Sequence, residues 1–69
     1  MAVREVEVEL PFSAGHLVAL FRREGFLIRE EHRAEGTCLH GHLPERLLPT
    51  FRRAGRVREL DPAPLAGWR

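Results

Sequence analysis

Cys38, His40 and His42 stand at alternate positions of the run Thr37-Cys38-Leu39-His40-Gly41-His42-Leu43. In an extended strand such positions share one face and lie about 7 Å apart. Thiolate and imidazole are ligands for zinc or copper, and Glu7 or Glu9 on a neighbouring strand could complete a set. Same-face neighbours along a flat strand are, however, far apart for ligands that must each sit about 2 Å from one ion. No C-x-x-C accompanies them. The expected role is a solvated polar face with no metal or other cofactor; any ion that did bind would be held by His40, His42 and Cys38.

A second constellation is basic. Arg52, Arg53, Arg56 and Arg58 fall within seven residues, and Arg22 and Arg23 form a further pair. Phosphate contact is what such residues do for nucleic-acid binders. Each pair also closes a helical pattern, where cations complement the helix dipole without any ligand. If the two helix ends meet in space, all six make one patch, the expected partner-binding surface.

Nucleophilic catalysis has little to work with. Ser13 reads as a helix cap, and Cys38 has no evident activating neighbour. Glu5, Glu7 and Glu9 form a row whose repulsion could raise a carboxylate pKa, but Arg29 or Arg33 across a sheet would neutralise it. The chain is expected not to be an enzyme, and no small-molecule substrate is evident.

These residues need elements to position them. Val3 to Leu10 alternates strictly, with Val6, Val8 and Leu10 on one face and the three glutamates on the other, which predicts a strand with one wet face. Pro11 ends it. Ser13 as N-cap, with Phe12 stapled to Leu17, opens a helix that Gly25 closes, Phe21 and Phe26 forming the contact of a Schellman cap. Phe26 to Arg33 and Thr37 to Leu43 read as a hairpin turning at Glu35-Gly36. Its core face would hold Phe26, Ile28, Leu39, Gly41 and Leu43, with Glu30 and His32 awkwardly on the same side unless a bulge or an edge position relieves them. Pro44-Glu45-Arg46 opens a second helix, in which Pro49 is a kink or the true start and Leu47, Leu48, Phe51 and Ala54 face the sheet. Arg56 to Leu60 supplies a last strand.

The order β-α-β-β-α-β is the ferredoxin-like α+β arrangement: a four-stranded antiparallel sheet with both helices on one face and the first and third strands central. Residues 1–60 are expected to form this one domain and residues 61–69 a tail, whose Trp68 could dock on apolar surface. All four Phe read as core, so the open sheet face lacks the stacking aromatics of an RNA-recognition sheet.

Composition agrees. The 69 residues allow one domain; 43% hydrophobic and 30% charged residues are ordinary for a folded protein. A net charge of +1 is too small to drive nucleic-acid binding in bulk, so any basic patch must be local. No apolar run approaches the roughly 20 residues of a membrane span, the residues from Met1 to Glu5 do not read as a signal peptide, and the single cysteine agrees with a reducing compartment, so a cytoplasmic location is expected. All 11 basic residues are Arg. The scarcity of amides and abundance of charge fit a heat-adapted source, although coding bias equally accounts for Arg over Lys. So short a chain buries only about 60% of its unfolded surface. Help from a homodimer that extends the sheet at its exposed second or fourth strand is therefore a further expectation.

The run Leu10-Pro11-Phe12, Leu17 to Gly25, Arg29-Glu30-Glu31-His32, Glu35-Gly36-Thr37-Cys38-Leu39 and Leu43-Pro44 resembles the C-terminal domain of the HflX family of ribosome-associated GTPases, over about residues 4–55. His32 stands where the family often has an aromatic. A second, lesser resemblance is to the C-terminal domain of the YigZ/IMPACT family, whose members usually lack the Glu35-Gly36-Thr37 turn. The first implies an accessory domain, free-standing or excised, that helps a GTPase engage the large ribosomal subunit. No G-x-x-x-x-G-K-[ST] phosphate loop is present, and the chain has no Lys to build one, so GTP hydrolysis is not expected of these residues alone. The expected function is a non-catalytic module contacting the ribosome, through RNA or protein, or a GTPase partner; the alternative is a homo-oligomeric interaction module, and a weaker third is metal binding through His40 and His42.

Overall fold

The computed structural model describes residues 2–60, so the expectations placed on residues 61–69, Trp68 included, lie outside it. Strand β1 spans Val3–Leu10, and its alternation sends Val6, Val8 and Leu10 into the interior at 0–2% exposure. Helix α1 covers Gly15–Glu24, β2 Phe26–His32, β3 Thr37–Pro44, α2 Leu48–Ala54 and β4 Arg56–Glu59. The sheet order is β2-β3-β1-β4 with every pair antiparallel, which puts β1 and β3 in the middle as expected. Both helices pack on one face: Leu17 and Phe21 of α1, Leu48 and Phe51 of α2, and Val6, Val8, Leu10, Leu39 and Leu43 of the sheet form one buried cluster. This is the α+β, ferredoxin-like arrangement. At its centre the Phe21 and Phe51 rings meet edge to face, 5.8 Å apart at 86°, a geometry that adds about 0.5–1.5 kcal/mol to their burial.

Local details depart from the sequence reading. Ser13 caps nothing: the Ala14 N–H donates to the Pro11 carbonyl at 3.0 Å, closing a 3-10 turn over Phe12–Ala14, and α1 starts only at Gly15. Phe12, expected to staple Leu17, is 58% exposed. Gly25 does end α1, its N–H reaching the Phe21 carbonyl at 2.9 Å, but its backbone is extended (φ −118°), so no Schellman cap forms. Pro49 proves to mark the true helix start: a 3-10 turn over Glu45–Leu47 precedes α2, whose first turn holds the proline. There the missing N–H costs no hydrogen bond.

The hairpin turns one residue earlier than expected. Arg33 and Gly36 exchange hydrogen bonds (Arg33 N–H to Gly36 O 2.7 Å, Gly36 N–H to Arg33 O 3.3 Å), leaving Ala34 and Glu35 as the turn. Gly36 adopts no positive φ. Its lack of a side chain serves a close approach instead, because a Cβ there would lie 2.2 Å from the Leu10 carbonyl oxygen. The pairing becomes His32 with Thr37, Glu31 with Cys38 and Glu30 with Leu39. Moving the turn by one residue changes every cross-strand partner by two, so Glu30 and His32 keep the side expected of them.

A bulge at Ile28 then reverses the parity of the start of β2, between Leu27 and Arg29. Leu27 turns to the helix side opposite Gly41, and Phe26 lands opposite His42 on the other face. Phe26 is 68% and Ile28 50% exposed, so neither belongs to the core, and of the four phenylalanines only Phe21 and Phe51 are buried. Glu30 and His32 stay on the helix side at the sheet edge, where the Arg22 guanidinium from α1 bonds Glu30 and the His32 Nε2 lies 2.8 Å from the same carboxylate. No helix among the described residues is long and apolar enough to cross a membrane.

Candidate functional site

The face of the sheet away from the helices carries the sequence's polar residues in rows. Register places Glu31, Cys38, Glu9 and Arg56 across one line, Arg29, His40, Glu7 and Arg58 across the next, and Phe26, His42 and Glu5 across a third. Carboxylates and bases are interleaved across this face, and several of them pair, along a line, within a strand or between lines. The Arg58 Nη2 donates to Glu7 Oε1 at 2.6 Å, Arg33 Nη2 donates to Glu31 Oε1 at 2.8 Å, and His40 Nε2 lies 2.8 Å from Glu5 Oε2. The bond from Arg33 holds the Glu31 carboxyl below its usual pKa, and the same bond raises Arg33.

Cys38, His40 and His42 do share this face, yet they do not converge. His40 is turned to Glu5, and the His42 ring lies against Phe26 with centroids 6.4 Å apart and planes at 37°. Cys38 is 7% exposed, and burial foremost pushes its thiol pKa up, with Glu7, Glu9 and Glu31 adding to the effect of burial and Arg33 opposing it. Among the described residues no three His, Cys, Asp or Glu side chains are grouped to hold an ion. A thiol kept protonated is also a poor nucleophile.

The arginines occupy two separate places. Arg22 bonds Glu30 on the edge strand β2, and Arg23 Nε donates to Glu24 at 3.4 Å. Arg52 Nη2 donates to Glu59 Oε2 at 2.6 Å on β4, the opposite edge, so the two helix ends do not join in one patch. Arg52, Arg53, Arg56 and Arg58 do come together around the junction of α2 and β4. Gly55 makes that junction tight: a Cβ on it would stand 2.0 Å from the Glu9 carbonyl oxygen. The helix end is thereby pressed onto the end of β1. Arg52 lies on the helix side of the sheet edge and Arg56 and Arg58 on the open face.

Beside Arg56, between the start of β4 and the hairpin turn, a recess of about 320 Å³ is lined by Arg33, Glu35, Cys38 and Glu9. Sequence reasoning missed Phe26 as an open-face aromatic. The parity conflict of Glu30 and His32 pointed to an irregular β2 but not to where the irregularity falls; those two stay on the helix side, accommodated by the edge position and Arg22, and the bulge turns Phe26 outward instead. Comparisons of the chain with protein-family models, with curated proteins and with solved structures find no match.

Proposed function

We propose that this chain is a non-catalytic binding module that contacts ribosomal RNA through the α2–β4 junction, in the manner of an accessory domain of an HflX-type GTPase. The observation that carries the reading is local charge. The segment from Thr50 to Arg58 holds four arginines and no acidic residue, in a chain whose net charge is only +1. The ferredoxin-like scaffold collects those four at one corner, on both sides of a sheet edge, where Glu59 and Glu7 from outside the segment pair with Arg52 and Arg58 and leave Arg53 and Arg56 without an ion pair among the described residues. The resemblance to the HflX C-terminal domain supplies the ribosomal direction; its motif residues Leu10-Pro11, Gly25, Gly36 and Leu43-Pro44 sit at strand ends and turns.

The test is co-sedimentation with large ribosomal subunits at low and high salt. Phosphate contacts weaken steeply as salt rises, so binding at low salt that fades at high salt supports the reading, and absence of binding at low salt overturns it.

Phe26 and Ile28, exposed on edge strand β2, favour a second reading, a protein partner or a second copy on that edge. The same strand carries a bulge and the inward-facing charges Glu30 and His32, devices that oppose strand addition. Side-chain docking on Phe26 is thus favoured over extension of the sheet. Association that persists at high salt is its signature.

A further inference from the structure

Resting on the RNA-binding reading, we infer that Arg53 and Arg56 are the residues of this corner that contact phosphate, while Arg52 and Arg58 act as struts within the fold. The distinction comes from what each guanidinium already holds. Arg52 donates to Glu59 at 2.6 Å and ties α2 to β4; Arg58 donates to Glu7 at 2.6 Å and ties β4 to β1. A phosphate taking either arginine must displace a carboxylate, exchanging one anion for another with little gain.

Arg53 and Arg56 have no ion pair or side-chain hydrogen bond among the described residues, and both are exposed. They flank Gly55, whose contact with the Glu9 backbone fixes the turn between them. Arg53 points off the last turn of α2 on the side away from Phe51, which is buried. Arg56 opens β4 on the other face of the sheet, opposite Glu9 in register, and borders the recess beside the hairpin. Two guanidiniums with no direct ion pair among the described residues, on either side of one sheet edge, suit two phosphates of a backbone that passes over that edge. Arg29 also lacks an ion pair among the described residues, but it lies on β2, three strand spacings or about 14 Å from β4. Arg22 and Arg23 are engaged by Glu30 and Glu24 near that same far edge.

The experiment measures affinity for a fluorescein-labelled RNA, one probe single-stranded and one a hairpin, over a salt series. The proteins are the wild type and R52A, R53A, R56A and R58A, with R53Q and R56Q as second variants that keep side-chain bulk. Circular dichroism confirms the fold of each. Each phosphate contact removed lowers the slope of log K against log salt by about 0.7–0.9. That loss is expected for R53A, R56A and their Gln counterparts. R52A and R58A are expected to keep the wild-type slope and to show a lowered Tm instead. Equal loss of slope in R52A and R58A, or an unchanged slope in R53A and R56A, would overturn the assignment while leaving RNA binding intact. A wild type that binds neither RNA at low salt would overturn the RNA-binding reading itself, and this inference with it.

Discussion

Gly55 and Glu9 touch through their backbones: a Cβ on the glycine would stand 2.0 Å from the Glu9 carbonyl oxygen and 3.3 Å from the Leu10 Cα. The obstacle is backbone, so no side-chain rotation relieves it. Gly55→Ala is therefore expected to push α2 away from β1 and to destabilise the domain by about 1–3 kcal/mol, the usual cost of overpacking. Urea denaturation checks it, and a stability equal to wild type would mean that the junction is looser than described.

The edge-to-face pair of Phe21 and Phe51 joins the two helices over the sheet. Removing either ring from a site of 0% exposure should cost about 3–5 kcal/mol. Against the roughly 3–5 kcal/mol that a single core supplies in a chain this short, Phe51→Ala is expected to leave a large unfolded fraction by circular dichroism. Phe51→Leu should be milder. Phe26→Ser, by contrast, is expected to shift stability by no more than about 0.5 kcal/mol, because that ring is 68% exposed.

Glu30 is held below the ordinary carboxyl value of 4.5, first by the bond from Arg22 and then by that with His32, with burial opposing. A carboxyl whose pKa falls on folding contributes stability that is complete above its unfolded value. The contribution is lost as pH drops from about 4.5 through the lower folded value. Glu30→Gln should thus melt lower than wild type near neutral pH, with the two Tm curves converging in acid. Parallel curves would show that the Arg22–Glu30 pair contributes nothing to folding.

Burial raises the Cys38 thiol pKa, and only the thiolate is reactive. Alkylation by iodoacetamide at neutral pH is expected to be much slower in the native protein than in the urea-denatured chain. Equal rates would contradict the burial of Cys38 beneath the open face.

How far the sequence could be read depended on the range of the interaction involved. The alternation of Val6, Val8 and Leu10 against Glu5, Glu7 and Glu9, the helix-ending Gly25 and Gly55, and the order of elements are local signals, and they sufficed for the fold. The face of Phe26 was not legible, because one extra residue at Ile28 reverses every side chain before it. Gly36 misled for a different reason: its spacing suggested a turn residue, whereas its function is to let the Leu10 carbonyl approach. The arginine clusters were visible, but their partition was not. Glu7 lies 51 residues from Arg58, and only the sheet register brings them together.

The most direct measurement is salt-dependent co-sedimentation with large ribosomal subunits, comparing wild type with the double variant R53A/R56A. Binding at low salt that fades at high salt, and that the double variant lacks, is the expected result. No binding by the wild type at low salt, or binding indifferent to salt and to both substitutions, would contradict a role in contacting ribosomal RNA.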